Sequence, residues 1–249
     1  MAGAPRVAVI SLASDFGCQV QITNIDPGLL QVLGLIDLRY WQLTSSAHMP
    51  DEYDVAVIEG AVTTEEHIEL LRRVRETAGV VVAIGSCAVT GGIPALAGSI
   101  DSACRFTTVY GDDATVTPGL CTPVAVSRYI DVDYIVPGCP IDTTEFLAVL
   151  GRALKGLSNG MPEQPLCASC KTHGNECFMQ RGELCLGIVT RSGCDAKCTT
   201  LGRPCTGCRG LAPDANLDSA RRVYAAFGHD FDEVVTALDL YNTDREVCR

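Results

Sequence analysis

The chain has 249 residues, 47% hydrophobic and 20% charged, a composition suited to a soluble globular protein of one or two domains with a substantial core. A formal net charge of −11, from 30 acidic and 19 basic side chains, argues against nucleic acid as a partner, because a backbone binder needs a positive stripe. No run reaches the roughly 20 apolar residues that span a bilayer, and "VVVAIGSCAV" at Val80 to Val89 falls far short.

The N-terminal stretch "MAGAPRVAVISLAS" carries only Arg6 before a short apolar run. It lacks a signal peptide's apolar core and cleavage site and has no twin arginine, so the expected location is the cytoplasm. Arg6 to Leu12 reads as a strand, as do Asp54 to Gly60, Val80 to Ser86 and Asp133 to Gly138. All four are short, rich in β-branched residues and apolar on both faces, as strands lying between two helix layers are. Between them, Thr63 to Gly79 reads as a helix, with a capping box from Thr63 and Glu66, a stripe of Ile68, Leu71 and Val74, and a stop at Gly79. Asp142 to Gly156 reads as another, ending on Lys155 and Gly156. The alternation predicts an α/β fold, a flavodoxin-like parallel sheet over residues 1–156. Tyr40 and Trp41 read as core, and Arg72 and Arg73 as a solvated helix face. Neither G-x-G-x-x-G nor a P-loop occurs, so a nicotinamide-binding reading has little support.

After Gly156 a linker, "LSNGMPEQP", opens a C-terminal region, residues 157–249, of different character. It packs eight of the 14 cysteines between Cys167 and Cys208. Thiols in a reducing compartment stay reduced, and cysteine at this density there points to metal rather than disulfides. The cysteine-rich segment has too little apolar periodicity to build a core of its own and little regular structure is expected, so what its thiolates bind would hold it together. "SARRVYAAFG" and "DEVVTALDLYN" read as closing helices that pack back, and Cys248 as a spare thiol.

Ligands of a parallel α/β sheet bind beyond the carboxyl ends of its strands. Asp15 and Cys18 follow the first strand, Glu59 closes the next, Cys87 follows "AIGS", and Cys139 follows "VPG". Three strand ends can therefore bring three cysteines to one site; the plainer reading is that each is a small buried residue. Gly17, Gly85 and Gly138 beside them allow close backbone approach. On spacing alone, the pairs Cys167/Cys170 and Cys205/Cys208 suit zinc ribbons and iron–sulfur clusters equally.

The order "GCQV", "VIEG", "AIGSCAVTGGIPAL", "VPGCPID" and then a cysteine-rich part resembles the small, electron-transferring subunit of nickel-iron hydrogenases. The likeness is in particular to soluble cytoplasmic types, sulfhydrogenase delta subunits and bidirectional NAD(P)-linked enzymes, and more loosely to the corresponding iron–sulfur subunit of respiratory NADH dehydrogenase. This resemblance implies three [4Fe-4S] clusters. Cys18, Cys87 and Cys139 match ligands of the proximal cluster. The family's usual Cys-x-x-Cys is replaced here by Asp15-Phe16-Gly17-Cys18, so Asp15 is the expected fourth donor, with Cys104 and Cys121 as alternatives. A carboxylate is a harder donor than a thiolate and would alter the cluster's potential and lability; as a turn residue, Asp15 would instead bond its own backbone. Cys167, Cys170, Cys177 and Cys185 match the distal cluster, and Cys194, Cys198, Cys205 and Cys208 the medial one, where Cys198 implies four irons. His173 reads as a solvated loop residue, with a contact to cluster sulfur as the alternative.

The resemblance further implies a large-subunit partner holding the nickel-iron centre and flavin-bearing, NAD(P)-binding diaphorase subunits. The hydrogen chemistry would lie in that large subunit, docked over the proximal site through a large apolar interface. Two other readings stay open: an electron-transfer subunit of a related non-hydrogenase complex, and a zinc-stabilised binding module.

Overall fold

A computed structural model describes residues 3–25, 28–112, 115–116 and 118–244; Cys248 lies outside them. The strands are β1 (Arg6–Ser11), β2 (Asp37–Trp41), β3 (Val55–Glu59), β4 (Val62–Thr64), β5 (Val80–Ile84), β6 (Leu120–Val124) and β7 (Tyr134–Val136). Five of them form a parallel sheet in the order β2-β1-β3-β5-β7. Counted within that sheet, this is the flavodoxin-like order, with its switch point between β1 and β3. β4 and β6 pair antiparallel in a separate two-stranded sheet.

The expected strands are present with one or two residues trimmed from their ends, whereas β2, β4 and β6 were not anticipated. β2 lies at the sheet edge and carries Asp37 and Arg39, so it lacks the continuous apolar run of its neighbours; Trp41 at its end is buried as expected. All five residues of β3 are buried, because both faces of the sheet are covered. Val7, Val9, Val55 and Val57 face Phe146, Val149 and Leu150 of the helix Thr143–Ala153. On the alternate face, Ala8, Ile10, Ala56 and Ile58 meet Leu71 and Val74 of the helix Glu65–Thr77. This is period-two alternation, and each fully buried Val, Leu or Ile contributes about 1.5–3 kcal/mol.

The cap of the helix Glu65–Thr77 falls one residue later than the capping box predicts. Thr64, not Thr63, is the N-cap, accepting from the His67 amide at 3.2 Å. The reciprocal group is the His67 ring rather than Glu66: Nδ1 accepts from the Thr63 amide at 3.3 Å.

The C-terminal region has a core that the cysteine-rich segment shares with the two closing helices. Leu166, Phe178, Met179, Leu186 and Val189 pack with Tyr224, Val234 and Leu238. The helices Leu217–Ala226 and Phe231–Asn242 supply the apolar faces that the cysteine-rich segment lacks, and Cys185 and Cys205 belong to the same cluster. The last helix also touches the short helices Gly85–Thr90 and Gly92–Ala95, with Thr90 Oγ1 donating to the Tyr241 carbonyl at 2.7 Å. Among the described residues no helix is long and apolar enough to cross a membrane.

Candidate metal centres

The carboxyl ends of β1, β5 and β7 deliver the first cysteine set. Cys18 sits in the first turn of the helix Gly17–Thr23, Cys87 in the helix that starts directly at the end of β5, and Cys139 in the loop after β7. The three thiols lie near enough to act on one another. Burial raises Cys18, and the charges of Glu59, Cys139 and Cys87 raise it further. Burial pushes Cys87 up to about 11, with contributions from Cys139, Asp15 and Glu59. Cys139 is exposed, so the set opens at the surface; burial still raises its thiol, with the charges of Asp15 and Glu59 adding.

Asp15 is exposed at the edge of this set, and its Oδ1 accepts the Gly17 amide at 2.9 Å. The carboxylate therefore plays its turn role while lying close to Cys87 and Cys139. The alternatives lie elsewhere: Cys104 is exposed on the helix Ser102–Tyr110, and Cys121 on β6 directs its sulfur to the Gly119 carbonyl at 3.8 Å.

A buried polar network supports this set. Glu59, 2% exposed, accepts the Cys18 amide at 2.9 Å and Gln19 Nε2 at 2.7 Å. Gln19 in turn accepts Trp41 Nε1 at 2.7 Å and also donates to Ser11 Oγ. Burial raises the Glu59 carboxyl, opposed by the Cys18 amide and Gln19. The sequence marks Glu59 as a strand end, but its tie to Gln19 and Trp41 depends on the unanticipated β2. Gly85 adopts φ +81° where the chain passes Cys18, and a Cβ there would meet Cys18 Sγ at 2.5 Å.

Thiols within each of the other two sets also lie near enough to act on one another. Burial raises Cys167 to about 11, with Cys185, Cys170 and Cys177 adding to the effect. Burial likewise raises Cys208 to about 11, with the charges of Cys194 and Cys198 adding, and Cys205 interacts with both Cys208 and Cys185. Tyr224 is fully buried and donates to the Cys185 carbonyl at 3.1 Å. Asn242 Nδ2 holds the Gly207 carbonyl, between Cys205 and Cys208, at 3.0 Å. His173 is exposed at the end of a short helix, and its Nε2 meets Asp195 Oδ1 at 2.7 Å.

Main-chain amides are aimed at these sulfurs. Cys18 receives one from Ile141, Cys87 from Ile93, and Cys194 from Ala196 and Lys197. Cys205 Sγ accepts the Gly207 amide at 3.5 Å. One of the bonds crosses between sets, from the Cys205 amide to Cys185 Sγ at 3.3 Å, and the Cys139 main chain lies near enough to the Cys208 sulfur to favour its thiolate.

This donor set has a clear chemical bias. Buried thiols resist ionisation unless positive charge joins them, and thiolates that accept amide hydrogen bonds suit iron–sulfur ligation. Among the described residues no three His, Cys, Asp or Glu side chains converge as a ligand set for a single metal ion. A four-iron cluster instead draws its four thiolates to separate irons. Each of the two C-terminal sets carries four thiols that could serve such a cluster, and the first carries three thiols beside a carboxylate.

A family model described as NADH ubiquinone oxidoreductase, 20 Kd subunit, matches residues 16–153. Sulfhydrogenase 2 subunit delta of Pyrococcus furiosus is 32% identical over 213 residues, covering 85% of this chain and 89% of the relative. A subunit of the F420-non-reducing hydrogenase of Methanococcus voltae is 30% identical, covering 97% of this chain and 95% of the relative. A chain from the crystal structure of an NAD+-reducing [NiFe]-hydrogenase in the H2-reduced state superposes with a TM-score of 0.56 at 31% identity, over 64% of this chain and 96% of that one.

Proposed function

The chain belongs to the NADH ubiquinone oxidoreductase 20 Kd subunit family, and from that premise we propose that it is the electron-relay subunit of a nickel-iron hydrogenase, an oxidoreductase acting on dihydrogen. Its role is to pass electrons between a large subunit's nickel-iron centre and a diaphorase-type partner in the cytoplasm. The observation that carries this reading is the serial arrangement of the three cysteine sets, the first joined to the second through Ser86 and Arg209 and the second to the third by the Cys205 amide on Cys185 Sγ.

Three bound [4Fe-4S] clusters would supply one-electron carriers. Cys18, Cys87, Cys139 and Asp15 hold the proximal one, Cys194, Cys198, Cys205 and Cys208 the medial, and Cys167, Cys170, Cys177 and Cys185 the distal. Residues 1–156 form the proximal-cluster domain and residues 157–249 the domain of the other two. The amides aimed at the sulfurs stabilise thiolate charge, and the cover from Leu186, Tyr224 and Leu238 keeps water from Cys185 and Cys205. Cys139, with exposed Val20 and Ile93 on flanking elements, marks the face for the large subunit. The name of the structural neighbour, an NAD+-reducing enzyme, supports a flavin-bearing NAD(P)-linked partner.

The test is elemental analysis of the complex, purified anaerobically with its native partners. Roughly 12 irons with matching acid-labile sulfide per copy, and nickel in the co-purified partner, is the expected result. Iron without nickel would favour a related non-hydrogenase electron-transfer complex. About two zincs with no sulfide would replace the proposal with a structural metal module.

A further inference from the structure

Arg209 is 2% exposed, and its contacts draw three separate segments together. Nε donates to the Ser192 carbonyl at 3.0 Å, and Nη1 to the Pro137 carbonyl at 2.8 Å. The guanidinium also forks onto Glu145, at 2.7 Å to Oε2 and 2.6 Å to Oε1. Pro137 precedes Cys139 by two residues, Ser192 precedes Cys194 by two, and Arg209 itself follows Cys208. The Glu145 side chain, on the helix Thr143–Ala153, is only 9% exposed.

A buried ion pair is weak support for stability, because desolvation offsets much of the attraction. This one also occupies a particular place. It lies where the loops of two cysteine sets meet, and Ser86 Oγ reinforces the junction by donating to the Cys208 carbonyl. The guanidinium charge bears on both Cys194 and Cys208. A lysine could supply the charge, but only a planar fork with several donors spans Ser192, Pro137 and Glu145 together.

Resting on the hydrogenase reading above, we infer that Arg209 is a positioning residue for electron passage between the proximal and medial sites. It sets the spacing of the loops that carry Cys139 and Cys194, and its fixed positive charge favours the reduced state at the medial site. Reduction adds negative charge, so a cation held beside the ligands raises the potential at which it occurs.

The test uses the intact complex, comparing the wild type with Arg209→Lys and with the double variant Arg209→Gln/Glu145→Gln, which removes the ion pair without stranding a buried carboxylate. Iron and sulfide are counted first, and a redox titration followed by paramagnetic resonance then reads the medial potential and the proximal–medial magnetic coupling. In the double variant the ratio of reduced to oxidised medial cluster at a fixed potential falls by less than about tenfold, a downward shift of under about 59 mV for one electron, because Glu145→Gln removes an opposing charge at the same time. The lysine variant restores most of that potential, yet its magnetic coupling differs from the wild type. A fully loaded double variant with wild-type potential and coupling overturns the inference. If the double variant fails to load its clusters, the lysine variant decides, and wild-type coupling there overturns it as well. A wild-type chain without iron and sulfide removes the hydrogenase reading itself, whereas a loaded wild type with unmoved variants removes only the role of Arg209.

Discussion

The Glu59 carboxylate accepts the Cys18 amide at 2.9 Å across 41 residues of sequence, locking the end of β3 to the first turn of the helix after β1. Its second oxygen is engaged by Gln19, so both acceptors are in use. Glu59→Gln leaves one carbonyl oxygen for two donors. The expected cost is about 1–3 kcal/mol, the penalty of one unsatisfied buried group. Chemical denaturation measures it, and an altered proximal paramagnetic signal should accompany it.

Asp15→Cys restores the four-thiolate pattern at the first set. The substitution should slow iron loss to a chelator and change the proximal spectrum and potential, because sulfur is the softer donor for iron. An unchanged spectrum would reduce Asp15 to its hydrogen bond with the Gly17 amide.

Gly85→Ala should be disproportionately damaging for a one-carbon change. A Cβ at φ +81° costs about 1–2 kcal/mol from the left-handed backbone alone, and it would lie 2.5 Å from Cys18 Sγ. The expected outcome is loss of about four irons per copy, one cluster's worth, with the other two clusters retained. Cys170→Ala should likewise remove about four, from the distal set, while Cys104→Ala and Cys121→Ala leave the count unchanged.

The helix Glu65–Thr77 offers a test remote from the metals. Thr64→Ala should cost about 1 kcal/mol of cap energy, and Thr63→Ala less, since the Thr63 hydroxyl makes only a long 3.4 Å contact with His67 Nδ1 while its amide bond to the same ring is kept. Burial lowers the His67 ring from its ordinary 6.5. A depressed base binds more protons in the unfolded chain, so stability rises with pH across the interval. The His67 contribution is complete above about pH 6.5 and is lost as the pH falls toward the depressed folded value. Denaturation midpoints recorded from pH 7.5 down to 5 should show this decline, and His67→Asn, whose side-chain oxygen replaces Nδ1 as acceptor, should flatten it.

Much of the sheet is legible in the sequence because β1, β3, β5 and β7 are buried on both sides and so read as continuous apolar runs. β2 escapes notice because an edge strand tolerates Asp37 and Arg39, and β6 because Pro123 interrupts it, as proline can on an edge. The cap is misread by one position because Thr63 and Thr64 are adjacent and chemically equivalent; only backbone geometry separates them. The placing of Cys18, Cys87 and Cys139 beyond strand ends is readable from the sequence. The residues that support the cysteine sets are not, since Arg209 and Glu145 are 64 positions apart and Tyr224 contacts the Cys185 carbonyl from a helix that sequence pattern cannot orient. The C-terminal core is hidden for the same reason, because its apolar surface is shared between the cysteine loops and two later helices.

The Cys205 amide reaches Cys185 Sγ directly, whereas the loops of Cys139 and Cys208 meet through the side chains of Arg209 and Ser86. The first contact needs only a peptide N–H, which every residue type except proline carries, and a sulfur to receive it. The second depends on which side chains stand at two positions. Substitution can therefore reshape one junction far more readily than the other.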